Sequence, residues 1–241
     1  MSIAENVARV RQQLRQAAES SGRSSDAVRL VAVSKQHSLA AIQAAAEAGV
    51  TDFGENRLEE ATSKLAAPQA AALRWHMIGH VQSRKARDVV AAGFSLVHSL
   101  DSVRLAERYS RFAQEGAQSL AVLLEINVSG EATKSGWLAY NWENEKDQRQ
   151  TLWMAVQQMA QLPGLRLLGL MTMAPWGTDP EQTRPVFRRL RLLRDALQHD
   201  FTALELDVLS MGMTDDYMVA IQEGATLIRV GRAIFGERTL Q

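Results

Sequence analysis

The feature that most constrains this chain is a repeated alternation of short apolar segments with helical segments. Residues 28–34 (VRLVAVS) are valine-rich and almost continuously apolar, as is typical of a strand that is buried on both faces. A helix is predicted next over residues 38–49, because Ser38 is a favourable N-cap and Gly49 is a favourable stop. A strand followed by a helix is the repeating unit of a parallel sheet.

Seven further apolar segments continue this alternation to the end of the chain. They are residues 51–56 (TDFGEN), 74–80 (RWHMIGH), 95–100 (SLVHSL), 119–127 (SLAVLLEIN), 165–173 (LRLLGLMTM), 204–213 (LELDVLSMGM) and 226–231 (TLIRVG). Helices are predicted after them, from residue 57, over 85–92, from 101, over 151–161, over 179–199 and over 215–223, with a short last one. The polar segment 138–150 is predicted to be a surface loop or a loosely held helix start.

Eight strands alternating with helices in 241 residues favour an α/β fold of the (β/α)8 TIM barrel type over an open doubly wound sheet. Residues 1–20 are predicted to form an extra N-terminal amphipathic helix, not a signal peptide. No linker rich in glycine, serine or proline divides the chain, so we expect one domain over residues 1–241.

Composition excludes several classes of function. The 27 basic and 27 acidic residues cancel, which removes the main electrostatic argument for binding nucleic acid or an anionic membrane. The chain has no cysteine, so disulfides, thiolate nucleophiles and cysteine-rich metal sites are excluded. No histidine spacing indicates a metal site, and no apolar segment is long enough to span a membrane. We therefore expect a soluble, cytoplasmic protein without a metal.

Lys35 is the first candidate for chemistry, because it directly follows the first predicted strand. In a parallel barrel the functional groups lie at the C-terminal ends of the strands. A partly desolvated lysine there has a lowered pKa, and its neutral amine can attack a carbonyl. The alternative is a structural lysine that extends its ammonium group out of the barrel mouth.

Polar residues also occur at the ends of other predicted strands. Arg229 lies between two apolar residues and needs a buried acceptor, for which an ion pair with Glu55 or Glu125 is one alternative. His76 is either a functional group or a hydrogen-bonded imidazole of the core. Asn56 follows the second strand in the same way.

Two glycine-containing segments near the C-terminus indicate a phosphate site. Ser210 and Met211 precede a glycine after the seventh strand, and Gly231 follows the eighth. The loops after these strands form the recurrent phosphate site of TIM barrels. An amine at Lys35 and a phosphate site across the barrel mouth would together suit pyridoxal phosphate, which carries an aldehyde and a phosphate on one ring.

Seven motifs, in order along the chain, carry a family resemblance. They are VAVSK, DFGEN, WHMIGHVQSRK, INVSGEATKSG, GLM, LSMGMTDDY and TLIRVGRAIFGER. Over nearly the whole chain they resemble the pyridoxal phosphate homeostasis proteins. The resemblance implies a barrel like the N-terminal domain of alanine racemase, with pyridoxal 5'-phosphate held as a Schiff base on Lys35. The cofactor-binding residues that it implies are Lys35, Asn56, His76, Ser210, Met211, Arg229 and Gly231.

The resemblance also implies where each of these residues lies around the cofactor. Arg229 is expected at the pyridine nitrogen, the residues of the two glycine-containing segments near the phosphate, and Asn56 and His76 beside the ring. A guanidinium stays protonated, so Arg229 would disfavour a pyridinium and weaken the ring as an electron sink. The chain also ends soon after the last strand, without room for the second domain that supplies a tyrosine base in alanine racemases.

These expectations favour a non-catalytic carrier that regulates pyridoxal phosphate and amino and keto acids. Apo enzymes that use the cofactor are the expected recipients, and a monomer is the expected state. The main alternative is a pyridoxal phosphate-dependent amino acid racemase, with a group such as His76 as base. A further alternative is a barrel for another phosphorylated ligand, in which Lys35 has no chemical role.

Overall fold

A barrel of eight parallel strands is the centre of the computed structural model, which describes residues 1–177 and 179–237. In this part of the chain nine strands are present: β1 (Arg29–Val33), β2 (Asp52–Glu55), β3 (Arg74–Met77), β4 (Leu96–Leu100), β5 (Leu120–Asn127), β6 (Trp137–Leu138), β7 (Leu165–Met171), β8 (Val208–Ser210) and β9 (Leu227–Val230). Their pairing order is β1, β2, β3, β4, β5, β7, β8, β9, and β9 pairs with β1 to close the barrel. The short β6 pairs only with the end of β5. The predicted TIM barrel is therefore confirmed.

The helices follow the strands as the alternation predicted. They are α1 (Ile3–Ser20), α2 (Leu39–Glu47), α3 (Leu58–Leu65), α4 (Ala86–Ala91), α5 (Val103–Glu115), α6 (Lys146–Ala160), α7 (Pro180–Asp200), α8 (Tyr217–Gln222) and α9 (Arg232–Phe235). Ser38 caps α2 by accepting a hydrogen bond from the Ala41 amide, and Gly49 follows that helix with a φ of 89°. Within the described residues, no helix combines the length and the apolar character that crossing a membrane requires.

The core has an outer and an inner part. Most buried apolar side chains lie between the strands and the helices. A smaller cluster fills the inside of the barrel, and its buried members are Val31, Leu96, Leu123, Met171, Val208 and Leu227. Because side chains alternate along a strand, the residues two positions further along also point inward. His98, Ser210 and Arg229 therefore lie inside the barrel, where polar groups need partners.

The segment 138–150 is more ordered than a surface loop. Helix α6 begins at Lys146, five residues before the predicted start, because polar side chains in this segment bond to one another. The Gln148 side chain accepts from the Asn141 amide at 3.0 Å and donates to Glu145 at 2.8 Å. Trp142 is buried and stacks on Trp153, with ring centroids 5.9 Å apart. It is thus a packing residue and not an exposed aromatic of an interface.

Candidate functional site

A cavity of about 490 Å³ opens at the C-terminal end of the barrel. The loops after β1, β7, β8 and β9 contribute its walls. The lining residues are Val33, Lys35, His37, Pro175, Trp176, Gly177, Thr183, Met213, Thr214, Asp215, Asp216, Arg229, Gly231, Arg232, Gly236 and Glu237. The volume is in the range of cavities that hold small ligands and cofactors.

Lys35 lies two residues after the end of β1 and is half-buried. The preceding residue, Ser34, is fixed through its amide, its hydroxyl and its carbonyl. The amide donates to the Gly54 carbonyl at 3.0 Å, the hydroxyl donates to Glu55 at 2.6 Å, and the carbonyl accepts from Lys64 at 2.7 Å. Ser34 is fully buried, so these contacts hold the backbone where Lys35 leaves the strand.

The residue after Lys35 is held as well. Gln36 has a φ of 64°, which is uncommon for a residue with a Cβ, and its amide donates to the Glu60 carboxylate. Glu60 and Glu55 both bind the Lys64 ammonium group at 2.7 Å. Burial raises the pKa of Glu55, although Lys64 and Ser34 oppose that rise. The turn that presents Lys35 therefore depends on a charged cluster from β2 and α3.

Arg229 lines the inner wall of the cavity and is buried. Its guanidinium donates from Nη1 to the Ser210 hydroxyl at 2.5 Å and from Nη2 to the Thr172 carbonyl at 2.8 Å. Burial lowers the pKa of Arg229 to about 10, opposed by the charges of Asp216 and Glu125, so the group stays charged at neutral pH. The ion pair with Glu55 or Glu125 that we considered is not formed in the described part of the chain.

His76 and Ser210 lie deeper in the barrel, connected through His98. His76 contacts Asp52 with Nε2 at 3.1 Å and His98 with Nδ1 at 2.9 Å, and His98 reaches the Ser210 hydroxyl at 2.9 Å. Burial lowers the pKa of both imidazoles, so both rings are neutral at neutral pH. His76 is thus a hydrogen-bonded core residue, and it is not among the residues that line the cavity.

The phosphate side of the predicted site is built from the last two loops. Gly231 lines the cavity, and a Cβ there would lie 3.3 Å from the Val33 carbonyl. Gly212 has a φ of 93°, and a Cβ there would lie 2.6 Å from the Ala220 Cβ, so only glycine fits this turn. Met211 is fully buried and lies outside the lining. Arg232 lines the cavity and binds both oxygens of Asp215, at 2.5 and 2.6 Å.

Asn56 lies apart from this cavity. It borders a separate depression of about 370 Å³ together with Met77, His80 and other residues of the neighbouring loops. Gly79 packs directly on its backbone, since a Cβ at residue 79 would lie 2.2 Å from the Asn56 carbonyl oxygen. Of the seven predicted residues, Lys35, Arg229 and Gly231 therefore line one cavity, while Asn56, His76, Ser210 and Met211 do not line it.

Several residues of the site were missed by the sequence analysis. His98 carried the same signal as His76, a polar residue inside a buried strand, and could have been found. Thr172 contributes to the site through its carbonyl, for which the sequence gives no signal. Trp176 lines the cavity although its side chain is 80% exposed, and its loop follows β7 without a recognisable motif.

Comparison with known proteins gives consistent results. The family model described as the alanine racemase N-terminal domain matches residues 3–239. The pyridoxal phosphate homeostasis protein of Pseudomonas aeruginosa is 43% identical, over 98% of this chain and 96% of that protein. PipY from Synechococcus elongatus, solved with PLP bound, is 38% identical, with a TM-score of 0.81, over 98% of this chain and 100% of that one. An alanine racemase from Clostridium difficile, 14% identical, shares the fold, with a TM-score of 0.69, over 97% of this chain and 56% of that one.

Proposed function

Because the chain belongs to the family of pyridoxal phosphate homeostasis proteins, we propose that it binds pyridoxal 5'-phosphate covalently through the Lys35 amine. The relative PipY supports this proposal, because it matches 98% of this chain and was solved with PLP bound. The observation that carries it is that Lys35, Arg229 and Gly231 line one cavity at the C-terminal end of the barrel.

The residues present fit this cofactor. An amine on a fixed turn can reach an aldehyde, a buried guanidinium can face a neutral ring nitrogen, and a glycine edge leaves room for a phosphate. When bound, the cofactor supplies an aldehyde that reacts reversibly with amines and a ring that withdraws electrons. We assign direct contact to Lys35, Arg229 and Gly231.

The other predicted residues receive different roles in this proposal. We keep Ser210 and Met211 near the phosphate end of the site, because they lead into the loop after β8 that lines the cavity. His76 supports Arg229 from inside the barrel and does not reach the ring. We keep Asn56 as a residue beside the ring, on the argument that it follows β2 next to the strand that carries Lys35.

We further propose that the protein holds pyridoxal phosphate without robust catalysis. Arg229 is charged and can only donate, so at the ring nitrogen its guanidinium would favour an unprotonated nitrogen. The bound ring would then withdraw electrons less strongly than a ring with a protonated nitrogen. The role that follows is homeostasis of pyridoxal phosphate and of amino and keto acids, with apo enzymes as recipients. One domain, a monomeric state and a cytoplasmic location stay predictions.

The decisive experiment is visible absorption of the purified protein with and without pyridoxal phosphate, followed by borohydride reduction and peptide mapping. We expect a coloured adduct that is fixed at Lys35 and is absent from Lys35→Ala. Lys146→Ala, which removes an exposed lysine at the start of α6, is the matched control and should keep the adduct. A colourless protein, or label scattered over several lysines, would refute the proposal.

Turnover is tested separately with a racemase assay over a panel of amino acids. We expect no robust turnover from the wild-type protein. Robust turnover that disappears in Lys35→Ala would refute the non-catalytic role and favour the racemase alternative. Binding at Lys35 would remain valid in that case.

A further inference from the structure

A continuous chain of hydrogen bonds crosses the inside of the barrel and ends at Arg229. It joins Asp52, His76, His98 and Ser210, with contacts of 3.1, 2.9 and 2.9 Å, and the last contact, from Arg229 to Ser210, is 2.5 Å. All five residues are less than 5% exposed. We propose that Asp52, His76, His98 and Ser210 act as one positioning unit that orients Arg229 toward the bound cofactor.

Burial lowers the pKa of both imidazoles, and with both rings neutral the two ends of this chain determine every hydrogen between them. A guanidinium can only donate and an ionised carboxylate can only accept. Arg229 therefore donates to Ser210, and the Ser210 hydroxyl donates to His98 Nδ1. His98 Nε2 then donates to His76 Nδ1, and His76 Nε2 donates to Asp52. For neutral imidazoles this is the single arrangement that satisfies all four hydrogen bonds, and it places the proton of each ring on Nε2.

This direction has a consequence for Arg229. The Ser210 oxygen presents its lone pairs to Nη1 because its hydroxyl hydrogen is committed to His98. The Thr172 carbonyl accepts from Nη2 at 2.8 Å, so two nitrogens of the guanidinium are tied to fixed acceptors. The plane of the guanidinium is thereby set, and its remaining N–H groups have a defined direction. Aligned hydrogen bonds in a low-dielectric interior also strengthen one another.

The charges around the chain keep it in this arrangement. Asp52 also accepts two hydrogen bonds from Arg74, at 2.9 and 2.7 Å, which holds the carboxylate ionised. The charges that face His76 are Asp52, Arg29 and Arg74, and those that face His98 are Arg29 and Arg229, beside the imidazole of His76. Asp216 and Glu125 face Arg229 from other strands and loops. A proton added to either imidazole would meet nearby positive charge and would leave one of the hydrogen bonds without an acceptor.

The arrangement is tested first in the protein without cofactor. Two-dimensional NMR of the histidine ring nitrogens distinguishes the two neutral tautomers and the charged ring. We expect His76 and His98, assigned with His76→Gln and His98→Gln, to be neutral at pH 7 with the proton on Nε2. A charged ring, or a proton on Nδ1 of either residue, would overturn the proposal.

The effect on the site, which rests on the proposed function, is tested with two matched pairs of variants. Ser210→Ala removes one of the two acceptors of Arg229. Ser110→Ala removes a buried serine hydroxyl that donates to the Pro163 carbonyl at 2.7 Å and is not part of this hydrogen-bond chain. We expect Ser210→Ala to raise the Kd of pyridoxal phosphate about tenfold, the loss of about one buried hydrogen bond to a charged group, and to shift the absorption of the bound cofactor. Ser110→Ala should change neither quantity.

The second pair acts at the far end of the chain, away from the cavity. Asp52→Asn keeps the size of the side chain but can donate as well as accept, so the direction of the chain is no longer imposed. Arg74→Gln removes the ion pair between Arg74 and Asp52 but keeps the Asp52 carboxylate. We expect Asp52→Asn, and not Arg74→Gln, to mix the histidine tautomers and to shift the absorption of the bound cofactor.

The outcomes separate this inference from the proposed function. If the wild-type protein forms no adduct at Lys35, the proposed function fails, while the NMR result still decides the arrangement of the chain. If the wild-type protein forms the adduct and both Ser210→Ala and Asp52→Asn, shown to be folded by circular dichroism, match it in Kd and absorption, the positioning role is refuted.

Discussion

At the scale of single residues, Lys64 shows that a residue outside the cavity lining helps to position Lys35. Its ammonium group contacts the Ser34 carbonyl, Glu55 and Glu60, each at 2.7 Å. These contacts fix the backbone on both sides of Lys35. Lys64 itself is buried, and a buried charge is stable only when it is fully paired.

Replacing Lys64 should therefore destabilise the protein strongly. In Lys64→Met the Glu55 carboxylate stays buried without its counter-ion, and we expect a loss of about 3–5 kcal/mol in the free energy of unfolding. Lys85→Met, which breaks an exposed ion pair with Glu59, should cost less than about 1 kcal/mol. Denaturant unfolding measures both, and similar losses in the two variants would contradict the prediction.

Glu125 is a second residue whose environment makes a measurable prediction. Its Oε2 atom is buried and has no hydrogen-bond partner among the residues that the structure describes. Burial, together with the nearby charge of Asp101, raises its pKa from 4.5 to about 7. A raised carboxyl pKa stabilises the fold below the unfolded value, and this stabilisation is lost as the pH rises through the folded value. Between pH 4.5 and pH 7 the loss should be about 3 kcal/mol.

The Glu125→Gln variant tests this assignment. Its side chain is neutral at every pH, so the difference in unfolding free energy between the variant and the wild-type protein should move in favour of the variant as the pH rises from 4.5 to 8. Glu143→Gln, at an exposed position, should show a constant difference. A constant difference for Glu125→Gln as well would show that Glu125 ionises at its ordinary pKa.

At the scale of elements, the sequence predicts the regular parts of the fold well. Every strand of the barrel lies inside an apolar segment that we identified, because a strand covered on both faces is mostly apolar. The start of α6 and the short β6 were missed, since they depend on bonds such as that between Gln148 and Asn141. The pairing of β6 with β5 and the hydrogen bond between Asn141 and Gln148 are not visible in a pattern of apolar and polar residues.

Gly169 in β7 illustrates a constraint that acts between elements. It has a φ of 149°, and a Cβ there would lie 1.9 Å from the Val208 carbonyl oxygen of β8. Because the backbone of a closed barrel cannot move aside easily, we expect Gly169→Ala to lower the free energy of unfolding by about 4 kcal/mol or more. Gly22, with a φ of 71° and no atom near its Cβ position, is the control, and Gly22→Ala should cost about 1 kcal/mol. Thermal unfolding measures the loss of stability in both variants. Equal losses would show that β7 and β8 can move apart to accept a Cβ at residue 169.

At the scale of the whole molecule, the site exists because the first and last strands are neighbours. Val31 of β1 pairs in register with Arg229 of β9, so residues almost 200 positions apart face the same cavity. The sequence could nominate Lys35, Arg229 and Gly231 because each follows or interrupts an apolar segment. It could not assign Ser210 and His76 to a chain inside the barrel, since only strand register and closure determine which inward side chains meet.

The same geometry predicts that the ligand stabilises the whole barrel. Under the proposed function, pyridoxal phosphate between Lys35 and the loop after β9 would span the seam between the first and last strands, and it would bind the folded protein in preference to the unfolded chain. At a free concentration one hundred times its Kd it should add about 2.7 kcal/mol, which raises the unfolding midpoint by about 5–10 °C for a protein of this size. Lys35→Ala should lose most of this shift, and Lys146→Ala should keep it. The contrary outcome is an unchanged midpoint in a protein that does form the adduct at Lys35. It would show that the adduct forms equally well in the unfolded chain and that the seam between β1 and β9 is not part of the site.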